Sequence, residues 1–168
     1  RAFVSDLPDN EEDAAIAIWN GVLDETTSAA TDFAEVAGVL ESFGLNAEAE
    51  PLHAKAVEKD PGNLEYALAH ARNLMHQDRA EEALPQFERL AAQTDNDYFQ
   101  DQGERGMLEA YGALDMLKEK HEEWEQELQA NPNDDVKLAR LGRMYERLGD
   151  RPKAIGLYER CAELAPDN

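Results

Sequence analysis

A recurrence of large and small side chains every thirty-four residues constrains this sequence more than any other feature. It is plainest in residues 135–168. Leu138, Leu141, Tyr145 and Leu148 fall at i, i+3, i+7 and i+10, which places them on one face of a helix. A Gly149-Asp150 turn follows. Ala154, Leu157, Tyr158, Cys161 and Ala162 then mark one face of a second helix, and Pro166 closes the unit. Gly142, Ala154 and Cys161 are small, as two antiparallel helices require where they approach closely. One such pair cannot bury its own apolar face, so the pattern calls for neighbours.

The neighbours are present. Pro132 stands one interval before Pro166, and Pro61 closes another unit built from Phe33, Val36, Ala37 and Leu40, a Gly44 turn, then Ala49, His53 and Ala56. The next closure falls at Asp95, after Ala67, His70, Ala71 and Leu74 and then Ala83, Phe87 and Leu90. From Asp95 to Pro132 the interval is thirty-seven, so one unit carries three extra residues. This order of large and small positions resembles the tetratricopeptide (TPR) repeat. The resemblance implies an all-α fold, a right-handed α-solenoid of antiparallel helix pairs. It would hold about four repeats plus an N-terminal half repeat in one domain spanning 1–168. The units are 11–26 (half repeat), 30–63, 64–97, 98–134 (irregular) and 135–168.

Local signals place helices near 31–43 and 47–59 in the first repeat and near 64–76 and 80–92 in the second. Gly44 suits the left-handed position after a helix, and Asn46 is expected to cap the next one. Pro85 falls where the second repeat's second helix should be regular, so that helix must kink slightly or begin late, and a mild bend is expected. In the third repeat Met107, Leu108, Tyr111 and Leu114 share a face, as do Leu117, His121, Trp124 and Leu128. Lys120 and Glu127 occupy crossing positions that should be small, which predicts a wider or rotated pair. The three extra residues are expected to extend its first helix back toward Tyr98 and Phe99, to pack on the second repeat.

Charge narrows the partners. The net charge of −21 disfavours nucleic acid, because phosphate binding needs a basic face. The charge is also uneven: residues 1–67 carry a net −12 and residues 136–160 a net +4. No apolar run approaches the roughly 20 residues that cross a bilayer, so membrane insertion is not expected. The chain begins at Arg1 rather than Met, and the expectation is a piece of a larger protein. The single cysteine, Cys161, admits no intramolecular disulfide.

Catalytic chemistry is nearly absent. His53, His70, His76 and His121 show no ligand spacing, and His121-Glu122-Glu123 is followed by Glu125 where a zinc-protease motif needs histidine. Asp95, Asp97 and Asp101 are interrupted by Phe99 and Gln100 where a calcium loop needs an acid and a glycine. No metal, cofactor or enzyme activity is expected. The resemblance implies instead a ligand groove lined by the first helices of successive repeats. Carried over position by position, it nominates Arg72 and His76 in the second repeat, Arg105 in the third, and Arg140, Arg143 and Arg147 in the fourth. The last three are spaced i, i+3 and i+7 and could grip carboxylates bidentately. The clamp with which some TPR domains hold the acidic C-termini of chaperones is matched here at Arg140 alone, so that partner class is not expected. The expected function is a scaffold that binds an acidic peptide or protein in the groove. The alternatives are a substrate-positioning arm of a multidomain enzyme or co-chaperone, and weak self-association through the helix 151–165, where Leu157, Cys161 and Leu164 would be uncovered.

Overall fold

The computed structural model describes residues 27–164, together with Gly21 and Leu23. The half repeat expected at 11–26 lies almost wholly outside the described residues. Eight helices are described: α1 (Ala30–Ser42), α2 (Asn46–Lys59), α3 (Leu64–His76), α4 (Ala80–Ala91), α5 (Asp97–Ala113), α6 (Leu117–Ala130), α7 (Asp135–Leu148) and α8 (Arg151–Leu164). They pair in chain order, and no strand occurs among the described residues.

Short polar side chains and left-handed turns set the helix ends. Asn63 Oδ1 accepts from the backbone N–H of Glu65 at 3.0 Å and of Tyr66 at 3.4 Å, which opens α3. Asp134 does the same for Lys137 at the start of α7, at 3.0 Å. Asn46 does not cap α2; it is the helix's first residue, and Leu45 holds the cap position without a side-chain bond. The turn inside each pair contains one residue with positive φ: Gly44 (77°), Asp78 (57°), Asp115 (57°) and Gly149 (82°). These four stand thirty-four, thirty-seven and thirty-four residues apart, so the backbone repeats with the same interval as the side chains.

The chain divides into two compact units, one ending at Gly103 and one beginning at Glu104. In the first unit Phe33, Val36, Ala37 and Leu40 of α1 meet Ala49, Leu52 and Ala56 of α2, with Leu23, Leu45 and Tyr66 packed around them. Ala67, Leu68, Ala71 and Leu74 of α3 and Ala83, Phe87 and Leu90 of α4 are buried in the same alternation of large and small. Pro85 lies inside α4, which still begins at Ala80, and Pro51 lies inside α2 in the same manner. A late start is therefore not how the chain accommodates Pro85. Gly103 marks the tightest approach: a Cβ there would stand 2.2 Å from the backbone nitrogen of Ala91.

The second unit buries Met107, Leu108, Ala110 and Tyr111 of α5, Trp124 and Leu128 of α6, and Leu138, Leu141, Met144 and Tyr145 of α7, with Ala154 of α8. Tyr111 and Trp124 meet edge to face with ring centroids 6.0 Å apart. A Cβ on Gly142 would stand 2.6 Å from the Tyr158 ring, which is the close crossing expected of that position. The extra residues of the third repeat do lengthen its first helix, since α5 begins at Asp97. Phe99 is half-buried, but Tyr98 is 55% exposed and lies against Phe99 rather than inside the second repeat. The repeat interval also shows in a pair of long-range bonds. An arginine of α4 and one of α8 each reach back to the proline before their own helix pair: Arg89 donates to the carbonyl of Pro61, and Arg160 to that of Pro132 at 2.6 Å.

Candidate functional site

Within the second unit α5 and α7 form a groove of about 730 Å³, lined by Arg105, Leu108, Glu109, Arg143, Glu146, Arg147 and Tyr158. Its position follows from the helix period. Arg105 and Glu109 lie one turn apart on α5, opposite in sense to the buried Met107 and Tyr111; Arg143 and Arg147 lie one turn apart on α7. Leu108 and the Tyr158 ring supply the apolar floor. Tyr158 donates its hydroxyl hydrogen bond to Glu146 at 2.9 Å. Burial and that carboxylate push its pKa up to about 12, although Arg143 and Arg105 pull the other way, so the hydroxyl stays protonated at any physiological pH.

The six nominated residues separate into three groups. Arg105, Arg143 and Arg147 come together in this groove. Arg140 faces elsewhere. Its guanidinium lies 5.4 Å from the centre of the Trp124 ring, and its Nε stands 3.7 Å from Glu104, an ion pair rather than a hydrogen bond. Arg72 and His76 belong to the first unit, both exposed near or at the end of α3, and Arg72 donates to Gln102 Oε1 at 2.6 Å. Arg147 has no hydrogen bond or ion pair among the described residues.

Glu104 is the residue that sequence reasoning passed over. It is 2% exposed, and its carboxylate receives Arg143 Nη1 while pairing with Arg140. Arg143 therefore has two roles: it lines the groove with one side and neutralises a buried carboxylate with the other. The signal was available in outline, since Glu104 stands three, four and seven residues before the buried Met107, Leu108 and Tyr111. An acid on a core face must have a partner.

The first unit holds a polar seam of a different kind. Glu41 Oε1 accepts from Asn73 Nδ2 at 2.7 Å and lies 3.2 Å from Nε2 of the buried His53. Asn73, fully buried, accepts in turn from Gln77 at 2.6 Å. His70 stands 3.1 Å from Glu50 through Nε2 and 3.0 Å from Gln86 through Nδ1. A neutral imidazole protonated on Nε2 satisfies both contacts. Burial lowers its pKa despite the Glu50 carboxylate, consistent with that neutral form. Arg79 closes the cluster with two hydrogen bonds to Glu82, at 2.6 and 2.7 Å.

On α8, Ile155 and Leu164 are exposed, while Leu157 and Cys161 are half-buried. Burial raises the Cys161 pKa, which makes it a poor nucleophile. Among the described residues no His, Cys, Asp and Glu cluster has metal-binding geometry, and no helix is long and apolar enough to cross a membrane.

Residues 138–168 match the family model described as tetratricopeptide repeat. The C-terminal pair is a tetratricopeptide repeat. No curated protein matches the sequence. Among solved structures, the chain is similar to MamA at 18% identity and a TM-score of 0.57, covering 92% of this chain and 90% of that one. It is also similar to YrrB, a TPR protein with an unusual peptide-binding site, at 21% identity and a TM-score of 0.54, covering 95% and 80%. A third is a thermophilic TPR protein of Thermus thermophilus, at 21% and 0.50, covering 82% and 75%. The fold is thus the all-α, TPR-like helical solenoid, and the α5–α7 groove lies between the first helices of two successive TPR-like pairs.

Proposed function

We propose that this chain is a protein-interaction scaffold that holds an acidic peptide segment of a protein partner in the α5–α7 groove. The observation that carries this reading is Arg147: an exposed guanidinium without a partner among the described residues, in a groove that also offers Arg105, Leu108 and Tyr158. A guanidinium fork suits a carboxylate, and an apolar floor beside it suits a neighbouring aliphatic side chain. Glu109 and Glu146 line the same walls, so a segment of spaced carboxylates fits better than an unbroken acidic run. The fold it shares with YrrB, a TPR protein with a peptide-binding site, agrees with a peptide ligand.

Fluorescence anisotropy with a fluorescein-labelled peptide of alternating Glu and Leu tests the reading, with a Gln-Leu peptide as control. Above ~0.1 M salt the repulsion from the −21 net charge is largely screened, and further salt weakens only the contact itself. Affinity should therefore fall between ~0.1 and ~0.5 M salt, and Arg147→Ala should weaken it about tenfold. Equal binding of the Gln-Leu peptide, or a full-strength Arg147→Ala variant, overturns the proposal.

A further inference from the structure

We infer that Gly112 is a positioning residue for Arg147, and that it thereby sets how well the groove receives a carboxylate; the second half of this rests on the function proposed above. Gly112 lies in the last turn of α5, inside a helix, where glycine is a poorer helix former than alanine. Its backbone does not call for glycine, since its φ is not positive. The space around it does. A Cβ on Gly112 would stand 3.0 Å from Arg147 Nη2, 3.4 Å from Nε and 3.6 Å from Cζ, and these three guanidinium atoms are its nearest neighbours. The guanidinium of α7 thus rests on bare backbone of α5.

Other helical glycines sharpen the point. Gly103, in the same helix, is filled against by the backbone of α4, and Gly38 and Gly156 meet nothing within 4 Å. Gly112 alone among the described glycines has its missing side chain replaced by an arginine, and that arginine has no other polar partner among the described residues. The site is also electrostatically apt. The last turn of a helix presents carbonyl oxygens and the negative end of its dipole, which attract a cation without neutralising it as a carboxylate would. Arg147 is therefore held, yet its hydrogen-bond donors are not consumed by an acid among the described residues. A long side chain fixed in advance loses less freedom on binding, so its contact with a ligand carboxylate is worth more.

The contact is with the far end of a flexible side chain, so substitution should displace Arg147 without unfolding the protein. Gly112→Ala is expected to melt at or above the wild-type temperature, because alanine favours the helix. The ¹⁵N-detected Arg147 Nε–H resonance, assigned with Arg147→Lys, should shift in Gly112→Ala and shift further in Gly112→Leu. Affinity for the Glu-Leu peptide should fall about fivefold in Gly112→Ala and reach the level of Arg147→Ala in Gly112→Leu. An unmoved resonance in both variants overturns the positioning role, whatever the peptide does. A shifted resonance with unchanged affinity in Gly112→Leu, while Arg147→Ala is weakened, overturns the link to binding and leaves the groove's function standing. If Arg147→Ala itself binds normally, the groove reading fails and the binding half of this inference fails with it, and the resonance still decides the positioning half.

Discussion

The two units compensate their buried carboxylates differently. In the first, Glu41 faces His53 and Asn73, with Gln77 behind them, and Glu50 faces His70, with Gln86 beyond it and Arg79 Nη1 3.6 Å away. In the second, Glu104 faces two arginines. A histidine seam can lose or gain a proton between pH 5 and 8, whereas an arginine stays charged throughout that range. The first unit therefore carries a seam whose strength depends on pH. The second carries one that does not, and it shares Arg143 with the α5–α7 groove. Packing differs in the same direction. The close approach at Gly103 is backbone on backbone, and that at Gly142 is backbone on a tyrosine ring that can move.

The largest expected effect comes from removing the shared carboxylate. Glu104→Leu leaves Arg140 and Arg143 without their acid inside a closely packed unit. Breaking a buried pair costs about 3–5 kcal/mol, and the two arginines are each about a quarter exposed, which brings the expectation to the lower end, about 3 kcal/mol. Urea unfolding followed by fluorescence in a Trp19→Phe background, which leaves Trp124 as the sole tryptophan, reads it directly. A loss below about 1 kcal/mol would mean that the arginines turn to water, and that the two seams differ less than their geometry suggests.

Next in size is the difference between the helix crossings at Gly103 and Gly142. In Gly103→Ala the new methyl meets the Ala91 nitrogen, the Leu90 carbonyl carbon and the Phe87 oxygen, all backbone, so whole helices must part. In Gly142→Ala the obstacle is the Tyr158 ring, which can rotate away at the cost of its bond to Glu146. Overpacking typically costs about 1–3 kcal/mol, and Gly103→Ala should fall at the top of that range with Gly142→Ala at the bottom. Thermal unfolding of the two variants side by side checks the order. Equal losses would show that Tyr158 is held as firmly as a helix backbone.

Much of this arrangement was legible in the sequence, and the reason is local. The crossing residue Gly142 and the turn residues Gly44 and Gly149 announce themselves by size and chirality within one repeat. Asp78 and Asp115 take the same left-handed turn position without being glycine, since aspartate tolerates that conformation better than most residues. What spacing could not reveal are the seams. Glu104 finds Arg143 thirty-nine residues on, Asn73 finds Glu41 thirty-two residues back, and Glu50 finds His70 twenty residues on. None of these intervals is a helical period or the repeat length. The same limit explains Arg140: its spacing groups it with Arg143 and Arg147, but Trp124 and Glu104 on neighbouring helices draw it out of the groove.

The smallest expected effect tests the pH contrast. In the folded state His70 has a pKa below its ordinary 6.5, first because it is buried, with Glu50 acting against this. Protonation thus favours the unfolded chain, and stability is fully present above pH 6.5 and falls as pH drops from there toward the folded value. Glu41 works further down: although burial raises its pKa, the bonds from His53 and Asn73 prevail and hold it below 4.5, so its contribution is lost only as pH falls through that lowered value. Between pH 7.5 and 5.5 the Glu41 carboxylate stays ionised, and His70 should remove about 1 kcal/mol or less from the first unit. Hydrogen exchange of α3 amides at those two pH values measures it, with α7 amides as the internal reference after correction for intrinsic rates. His70→Gln, which keeps an amide able to meet Glu50, should flatten the α3 dependence and leave α7 unchanged. An α3 segment that is no less protected at about pH 5.5, or a His70→Gln variant with an undiminished pH dependence, would place the titrating group elsewhere and remove the distinction between the two seams.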